Sequence, residues 1–362
     1  MRAIRPGLVL LLALLMSALF PVTPGPATAW GADPVLVGAG DIASCASSGD
    51  EATADLLDGI AGTVVTFGDN AYQSGTESEF ATCYEPTWGR HRTRTRPAPG
   101  NHDYITSGAS GYFGYFGAAA GDPSTGYYSY DLGAWHVIAI NSNCSQVGGC
   151  DAGSPQEQWL RADLAESPTS CTVAYWHHPR FSSSLHGNQA SIQAIWQALY
   201  DYGADVVLSG HDHAYERFAL QDPGGAADPA GGIRQFVVGT GGRSHYAITT
   251  PIANSEVQND DTFGVLKLTL HATSYEWEFV PEAGGTFSDS GSASCVSVAV
   301  GGIAELPRLD GGQADVARAP LQAGGSSGPS AALLASVAAG VLAGAASISG
   351  VAWYVRRRAV NG

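Results

Sequence analysis

The sequence TVVTFGDNAY, residues 63–72, places a short apolar run directly before Gly68 and Asp69. Val, Thr and Phe are typical of β-strands, and Gly followed by Asp is typical of the turn that ends a strand. In an α/β sheet, ligands bind in the crevice outside the carboxyl ends of the strands. This stretch therefore predicts a buried strand that delivers an acidic side chain to a functional site.

Four other stretches repeat the pattern, each with a β-type or extended run, a small or aromatic residue, and then a side chain that can bind metal. They are VLVGAG before Asp41, RPAPG before Asn101, CTVAYW before His177, and DVVLSG before His211. Each fragment alone is weak, since an aspartate after a strand is often only a turn residue. The ordered set is specific, because five endings carry compatible ligand types along one chain. Oxygen and imidazole ligands without a thiolate suit iron, manganese or zinc.

Short apolar runs alternate with helical stretches between residues 34 and 300, which predicts an α/β or α+β domain. Helices are predicted over residues 51–60 and 189–202, and after Ser154-Pro155, where a capping serine precedes proline at the first helical position. Strands are predicted over residues 35–37, 63–67, 135–140, 172–175, 205–208, 235–238, 265–270 and 275–280.

The chain is acidic: 17 lysine and arginine residues oppose 33 aspartate and glutamate residues, for a formal net charge of -16. Such a body offers no basic surface for nucleic acid, and we expect no nucleic-acid partner. The single lysine, Lys267, restricts lysine Schiff-base chemistry to that one position.

The N-terminal residues have the layout of a secretory signal peptide. Basic residues precede an apolar run over residues 8–20, and the small-residue site Ala27-Thr28-Ala29 follows. The sequence therefore predicts a signal peptide over residues 1–29, export of the protein, and a main domain over residues 30–300.

The C-terminal residues predict a membrane anchor. Residues 331–355 carry no charged side chain, and such a length can span the hydrocarbon core of a bilayer. Arginines follow at once in the tail, residues 356–362, as is typical of the cytoplasmic side. Residues 301–330 are rich in small residues and predict a flexible stalk. We therefore expect a single C-terminal transmembrane helix that holds the main domain outside, at the cell surface.

Six cysteines lie between these ends, at positions 45, 83, 144, 150, 171 and 295. An even number in an exported domain predicts up to three disulfides. Cys144 and Cys150 are the simplest pair to join, because only five residues separate them. A metal site made of cysteines is not expected, since the sequence contains no CxxC pair.

The series GDIA, GDNAY, GNHD, HHP and GHDHAYER resembles the motifs of the calcineurin-like metallophosphoesterases, and its GDNAY element resembles the purple acid phosphatase branch. The similarity extends from about Val35 to Glu282. The resemblance implies two stacked mixed β-sheets flanked by helices, which makes residues 30–300 a catalytic domain. It also implies two metal ions and a small phosphoester substrate.

The resemblance assigns the ligands residue by residue. One metal would be held by Asp41, Asp69, Tyr72 and His213, and the second by Asp69, Asn101, His177 and His211. Many relatives carry a histidine ligand where this chain has Ala43, and the phenolate of Tyr72 would replace that ligand. A phenolate favours a ferric ion, so we expect Fe(III) beside a divalent Fe, Zn or Mn ion.

The implied function is a binuclear-metal phosphoester hydrolase, most simply an acid phosphatase that hydrolyses phosphomonoesters by attack of a metal-bound hydroxide. His102, oriented by Asp103, would protonate the leaving group, with His186 as another donor. The turn Gly239-Thr240-Gly241-Gly242 could border the site. A phosphodiesterase or nucleotidase stays open as an alternative, as does a non-catalytic surface binding module. The sequence does not indicate the oligomeric state.

Overall fold

Fifteen strands form two large sheets and one small ribbon in the computed structural model, which describes residues 32–296. The strands are β1 (Val35–Ala39), β2 (Ala43–Ser44), β3 (Thr63–Phe67), β4 (Ala71–Tyr72), β5 (Thr95–Ala98), β6 (Tyr128–Leu132), β7 (Trp135–Ala139), β8 (Cys171–Trp176), β9 (Val206–Ser209), β10 (Tyr215–Phe218), β11 (Arg234–Val238), β12 (Ser255–Asn259), β13 (Gly264–Leu270), β14 (Ser274–Pro281) and β15 (Ser290–Ser294). The helices are α1 (Gly49–Gly59), α2 (Glu77–Glu79), α3 (Ser110–Phe116), α4 (Pro155–Glu166) and α5 (Gln193–Asp201). Short 3₁₀ or π-helical segments cover Phe80–Tyr84, Trp88–Arg94, Ser107–Ala109, Gly117–Ala120, Cys144–Gln146 and Ala190–Ile192.

Both large sheets combine parallel and antiparallel strands. The first has the order β15-β14-β13-β1-β3-β5, and its strands β1, β3 and β5 are parallel. The second has the order β12-β10-β11-β9-β8-β7-β6, and its strands β7, β8, β9 and β11 are parallel. Parallel strands end at the same edge of their sheet. The topology therefore groups the residues that follow β1, β3 and β5, and also those that follow β8 and β9.

The two sheets stack on one another, since the main apolar core takes buried side chains from both. Val37 of β1 and Tyr175 of β8 belong to this core. The neighbouring residue of β8, Ala174, belongs instead to a second cluster with Leu160 of α4 and Trp196 of α5. Successive side chains of a strand point to opposite faces. The second sheet is thus covered by the first sheet on one face and by helices on the other, as the resemblance implied.

All eight predicted strands are present, with ends that differ by at most two residues from the prediction. The helix predicted after Ser154 is α4, and the Ser154 side chain accepts a hydrogen bond from the backbone N–H of Glu157. The helix predicted over residues 51–60 is α1, which begins two residues earlier, at Gly49. The stretch predicted over residues 189–202 is a 3₁₀ turn followed by α5.

The predicted fold class included a C-terminal transmembrane helix, and that part is corrected here. Within residues 32–296 no helix is both long enough and apolar enough to cross a membrane. The predicted stalk, transmembrane helix and tail, over residues 301–362, lie outside the described residues, as does the predicted signal peptide. The predicted anchoring at the cell surface is withdrawn together with the helix.

Three disulfides join all six cysteines. The predicted pair, Cys144–Cys150, is confirmed. Cys45–Cys83 links the segment after β2 to the π-helical turn, and Cys171–Cys295 links the start of β8 to the residue after β15. Such a disulfide content is typical of proteins from oxidising, extracytoplasmic compartments.

Candidate metal centre

The ends of five parallel strands meet at one place, where the two sheets adjoin. Asp41 follows β1, Asp69 follows β3, Asn101 follows β5, His177 follows β8 and His211 follows β9. A chain of side-chain contacts connects these five residues with Tyr72 and His213. The structure thus brings together all seven residues that the sequence predicted as ligands.

One group of contacts is centred on Tyr72. Its hydroxyl oxygen lies 2.8 Å from Asp41 Oδ1, 2.9 Å from Asp69 Oδ2 and 3.3 Å from His213 Nε2. His213 Nδ1 lies 2.8 Å from the Ser244 hydroxyl, which leaves Nε2 facing the carboxylates. The single hydroxyl proton of Tyr72 can serve only one of the two carboxylates at a time. A cation can be shared by all of these groups, so this donor set fits a metal ion.

The second group is centred on His177. Its Nδ1 donates to the Phe67 carbonyl oxygen at 2.8 Å. Its Nε2 faces Asn101 Oδ1 at 2.9 Å, His211 Nδ1 at 3.1 Å and Asp69 Oδ2 at 3.3 Å. One proton on Nε2 could bond only one of these three atoms, whereas a cation could be held by all four groups. These residues fit a second metal ion.

Asp69 belongs to both groups. Its Oδ2 contacts Tyr72 in the first group and His177 in the second, and its Oδ1 accepts a hydrogen bond from the backbone N–H of His102 at 2.8 Å. The ligand atoms of Asp41, Asp69 and His177 all lie within 4.8 Å of one another, and the three residues are buried. Asp69 therefore occupies the position of a bridging ligand between two cations.

The electrostatics of the centre are those of a buried, acidic ligand set. Burial alone would lower the pKa of His177, but the charge of Asp69 and its hydrogen bond raise it to about 9. Burial would raise the pKa of Asp69, but its interaction with His177 holds that pKa well below the usual range. Burial and the carboxylates of Asp41 and Asp69 raise the pKa of Tyr72 well above its usual range. Because metal ligands must be deprotonated, cation binding here would release protons from His177 and Tyr72.

Backbone strain is concentrated in this centre. Asp41, Asp69 and His211 have positive φ values of 61°, 52° and 71°, in the left-handed region that residues with a side chain rarely adopt. Only two other non-glycine residues among those described have a positive φ. Such strain persists where the surrounding structure imposes it, and it clusters at functional sites.

Glycines precede four of the predicted ligands, and at three of these glycines the backbone lies against another predicted ligand. A Cβ atom on Gly68 would lie 2.6 Å from His177 Nδ1. On Gly100 it would lie 2.1 Å from Asp69 Oδ1, and on Gly210 it would lie 2.7 Å from Asp41 Oδ2. The glycine in these three motifs is therefore explained by close approach across the centre.

His102 and His186 both lie beside the centre. His102 is partly exposed, its ring packs 4.6 Å from the ring of Tyr72, and its Nδ1 lies 2.7 Å from the carbonyl oxygen of Gln73. This contact leaves Nε2 facing the site, 3.9 Å from Asp69 Oδ2. His186 is exposed, and its ring stacks on His211 at 4.2 Å.

The predicted orientation of His102 by Asp103 is corrected. Asp103 is fully buried and accepts hydrogen bonds from the backbone N–H of Gly100 at 2.8 Å and from the side chain of Asn70 at 3.0 Å. Burial and the charge of Asp69 raise the pKa of Asp103. Asp103 thus supports the loop that carries Asn101, and Gln73 orients His102.

Sequence analysis missed the residues that complete the wall of the centre. Arg243 follows the turn at residues 239–242, and its backbone N–H donates to the carbonyl oxygen of Asp41 at 3.0 Å. Tyr246 stacks on His213, with ring centroids 3.9 Å apart and an interplanar angle of 11°. The glycine-rich turn was the available signal, since it indicated a segment bordering the site but gave no role to the residues after it.

Comparison with known proteins agrees with this geometry. Residues 36–215 match the family model of the calcineurin-like phosphoesterases. Purple acid phosphatase 15 of Arabidopsis thaliana is 30% identical over 216 residues, which cover 49% of this chain and 40% of that protein. Purple acid phosphatase 22 of the same plant is 36% identical over 122 residues, which cover 32% of this chain and 27% of that protein. The chain thus spans less than half the length of these relatives.

Solved structures show the same fold. A purple acid phosphatase from yellow lupin (Lupinus luteus) seeds matches with a TM-score of 0.61 at 19% identity, over 73% of this chain and 54% of that chain. GAP50, the anchor in the inner membrane complex of Plasmodium, matches with a TM-score of 0.56 at 13% identity, over 73% of this chain and 90% of that one. The family-model match over residues 36–215 shows that the chain belongs to the calcineurin-like phosphoesterase family, and its relatives include purple acid phosphatases.

Proposed function

We propose that this protein is a binuclear-metal hydrolase of phosphomonoesters, similar to an acid phosphatase. The observation that carries the proposal is the pair of ligand groups that share Asp69 Oδ2. Each group gathers oxygen and imidazole nitrogen atoms at contact distances of 2.8–3.3 Å, and this combination of ligand atoms is typical of a cation site. Two cations a few ångströms apart suit in-line displacement at phosphorus.

When bound, the two metals would polarise the phosphoryl group and lower the pKa of water. The chain's own residues must then hold the phosphoester and supply a proton to the leaving alcohol. His102 is placed for proton donation, because Nδ1 is occupied by the Gln73 carbonyl oxygen and Nε2 faces the site. His186 stands next to His211 at the exposed side of the centre, where it could contact the substrate. Proton transfer by such a positioned imidazole commonly contributes about 10²–10⁴-fold to a rate.

Tyr72 supports a specific metal content. A buried phenol between two carboxylates can ligate only as the phenolate, which favours a ferric ion. We therefore propose Fe(III) in the group that contains Tyr72 and a divalent Fe, Zn or Mn ion in the group that contains His177. Metal analysis of the purified protein, with a visible spectrum for the phenolate charge-transfer band, tests this assignment.

The test of function compares the wild-type protein with Asp69→Asn, using Asp151→Asn as the matched control. Asp151 is exposed and lies outside the centre. We expect wild type and Asp151→Asn to hold about two metals per chain and to hydrolyse a generic phosphomonoester. Asp69→Asn should lose at least one metal and nearly all activity, because a neutral amide cannot bridge two cations.

The alternatives give different results in the same assay. A phosphodiester hydrolysed faster than the monoester at equal concentration would replace the monoesterase proposal by a phosphodiesterase. Metal binding without hydrolysis of either ester would favour a non-catalytic binding module. This alternative is tested because GAP50, which has the same fold, is described as an anchor. Full activity in Asp69→Asn would contradict the proposed centre itself.

A further inference from the structure

Arg243 places a positive charge at the side of the metal centre. Its backbone is fixed by the hydrogen bond from its N–H to the Asp41 carbonyl oxygen. Its guanidinium carbon lies 5.1 Å from the centroid of the Tyr72 ring. The ring of His102 packs against the same tyrosine at 4.6 Å. Arg243 and the proposed proton donor therefore both lie against the ring of a predicted metal ligand.

The guanidinium of Arg243 has no hydrogen-bond partner within residues 32–296. Of the nine arginines in that range, only Arg92 and Arg243 lack a side-chain hydrogen bond, and neither forms an ion pair there. Arg92 is exposed to solvent, which can satisfy it. Arg243 is half-buried, and its Nε atom is buried without a partner.

A buried N–H donor without a partner is unfavourable, and such groups in native structures call for an explanation. The Asp41 carboxylate, on the residue whose backbone carbonyl oxygen accepts from Arg243, is already engaged with Tyr72 and with the backbone N–H of His211 at 2.7 Å. The remaining explanation is a ligand that brings its own acceptors. A guanidinium presents parallel N–H donors that match the oxygens of a phosphate.

We propose that Arg243 binds non-bridging phosphoryl oxygens of the substrate and thereby makes the site prefer phosphomonoesters to phosphodiesters. A monoester carries up to two negative charges and has three non-bridging oxygens, whereas a diester carries one charge and has two such oxygens. The guanidinium of Arg243 can therefore form more hydrogen bonds and a stronger charge interaction with a monoester than with a diester. This inference rests on the proposed function, and it names the residue that sets the ester preference of the same site.

The test uses the metal-loaded full chain with Arg243→Gln, Arg243→Lys and the control Arg92→Gln. Arg92 is matched to Arg243, because its guanidinium also lies over a tyrosine ring, 4.5 Å from the centroid of Tyr115, but outside the metal centre. Two quantities are measured for each protein: the Kd of inorganic phosphate by calorimetry, and the ratio of monoester to diester kcat/KM. Metal content and Tm verify that each variant is folded and loaded.

We expect Arg243→Gln to raise the phosphate Kd by about tenfold, because a charge-assisted hydrogen bond is lost. The ratio of monoester to diester kcat/KM should fall by a similar factor. Arg243→Lys keeps the positive charge but loses the paired N–H donors of the guanidinium. Its phosphate Kd and its kcat/KM ratio should therefore lie between those of wild type and Arg243→Gln. Arg92→Gln should match wild type. The inference is overturned by a phosphate Kd unchanged in Arg243→Gln, or by equal losses of kcat/KM on both esters.

This design separates the inference from the proposed function. A wild-type protein that hydrolyses neither ester would contradict the function, and the phosphate Kd values would still decide whether Arg243 binds phosphate. Hydrolysis by wild type together with an unchanged phosphate Kd in Arg243→Gln would uphold the function and refute the role of Arg243.

Discussion

At the scale of single residues, His102 is expected to act on the leaving group and not on the metals. Its side chain contacts Gln73 and Tyr72, and only its backbone N–H bonds the ligand Asp69, which alanine would preserve. We expect His102→Ala to keep its metals and to lose about 10²–10⁴-fold in kcat on an alkyl phosphate. On a nitrophenyl phosphate the loss should be much smaller, because that leaving group needs little protonation.

The matched control for this prediction is His271→Ala. His271 is a partly exposed histidine that pairs with Asp33, at 2.7 Å, away from the metal centre. Its removal should leave both kcat values unchanged. Equal losses on the two esters in His102→Ala would contradict proton donation and would point to a role in positioning.

At this same scale, the sequence predicted more of the centre than of its wall. Five of the predicted ligands follow a strand, so a local pattern marked them, whereas Tyr72 lies in β4 and His213 lies two residues after His211. The contact between Asp103 and Asn70 could not be predicted, because these residues are 33 positions apart and meet only through the tertiary fold. Arg243 was missed for the same reason, since its position over Tyr72 depends on a contact across 171 residues of chain.

At the scale of elements, the turn between β5 and the ligand Asn101 has no room for a side chain. A Cβ atom on Gly100 would lie 2.1 Å from Asp69 Oδ1 and 2.2 Å from Asp69 N, so one of the two loops must move. We expect Gly100→Ala to weaken metal binding by about tenfold or more, since misplaced ligands lose coordination geometry. Titration of the apo-protein with the metal measures this effect.

Gly59→Ala is the control for the glycine prediction. A Cβ atom on Gly59, in the last turn of α1, would have no neighbour within 4 Å. Alanine should be neutral there or should stabilise the protein by up to about 1 kcal/mol. Metal affinity in Gly100→Ala equal to that of Gly59→Ala would show that the turn relaxes freely.

The elements that sequence analysis missed share a physical cause. Strand β15 reads SGSAS and contains no large apolar residue, so only its pairing with β14 defines it. Strand β5 contains Pro97, and proline disfavours a strand when the sequence is considered alone. Because β5 is the edge strand of its sheet, the proline is tolerated there. Strand β6 is half-exposed along most of its length. The central strands were predicted because burial on both faces demands continuous apolar runs.

At the scale of the whole molecule, Asp205 connects the second sheet to the C-terminal end of the first. It accepts a hydrogen bond from the backbone N–H of Thr172 at 2.8 Å and another from that of Val296. The disulfide between Cys171 and Cys295 joins the same two segments. Burial raises the pKa of Asp205 from 3.8 to about 7, against the opposing effect of these hydrogen bonds.

This raised pKa makes the folded state bind a proton that the unfolded state has already released. Below about pH 3.8 both states are protonated at Asp205, so its stabilising contribution is fully present. As the pH rises to about 7, the free energy of unfolding should fall by at most about 4 kcal/mol through this one group.

Asp205→Asn cannot titrate and should flatten this pH dependence, whereas Asp151→Asn should keep it. Denaturant unfolding at several pH values between 4 and 7.5 measures the slope, and equal slopes in wild type and Asp205→Asn would show that the folded protein holds no proton there. The expected result is a contribution from Asp205 that stabilises the fold most in acid and decreases toward pH 7.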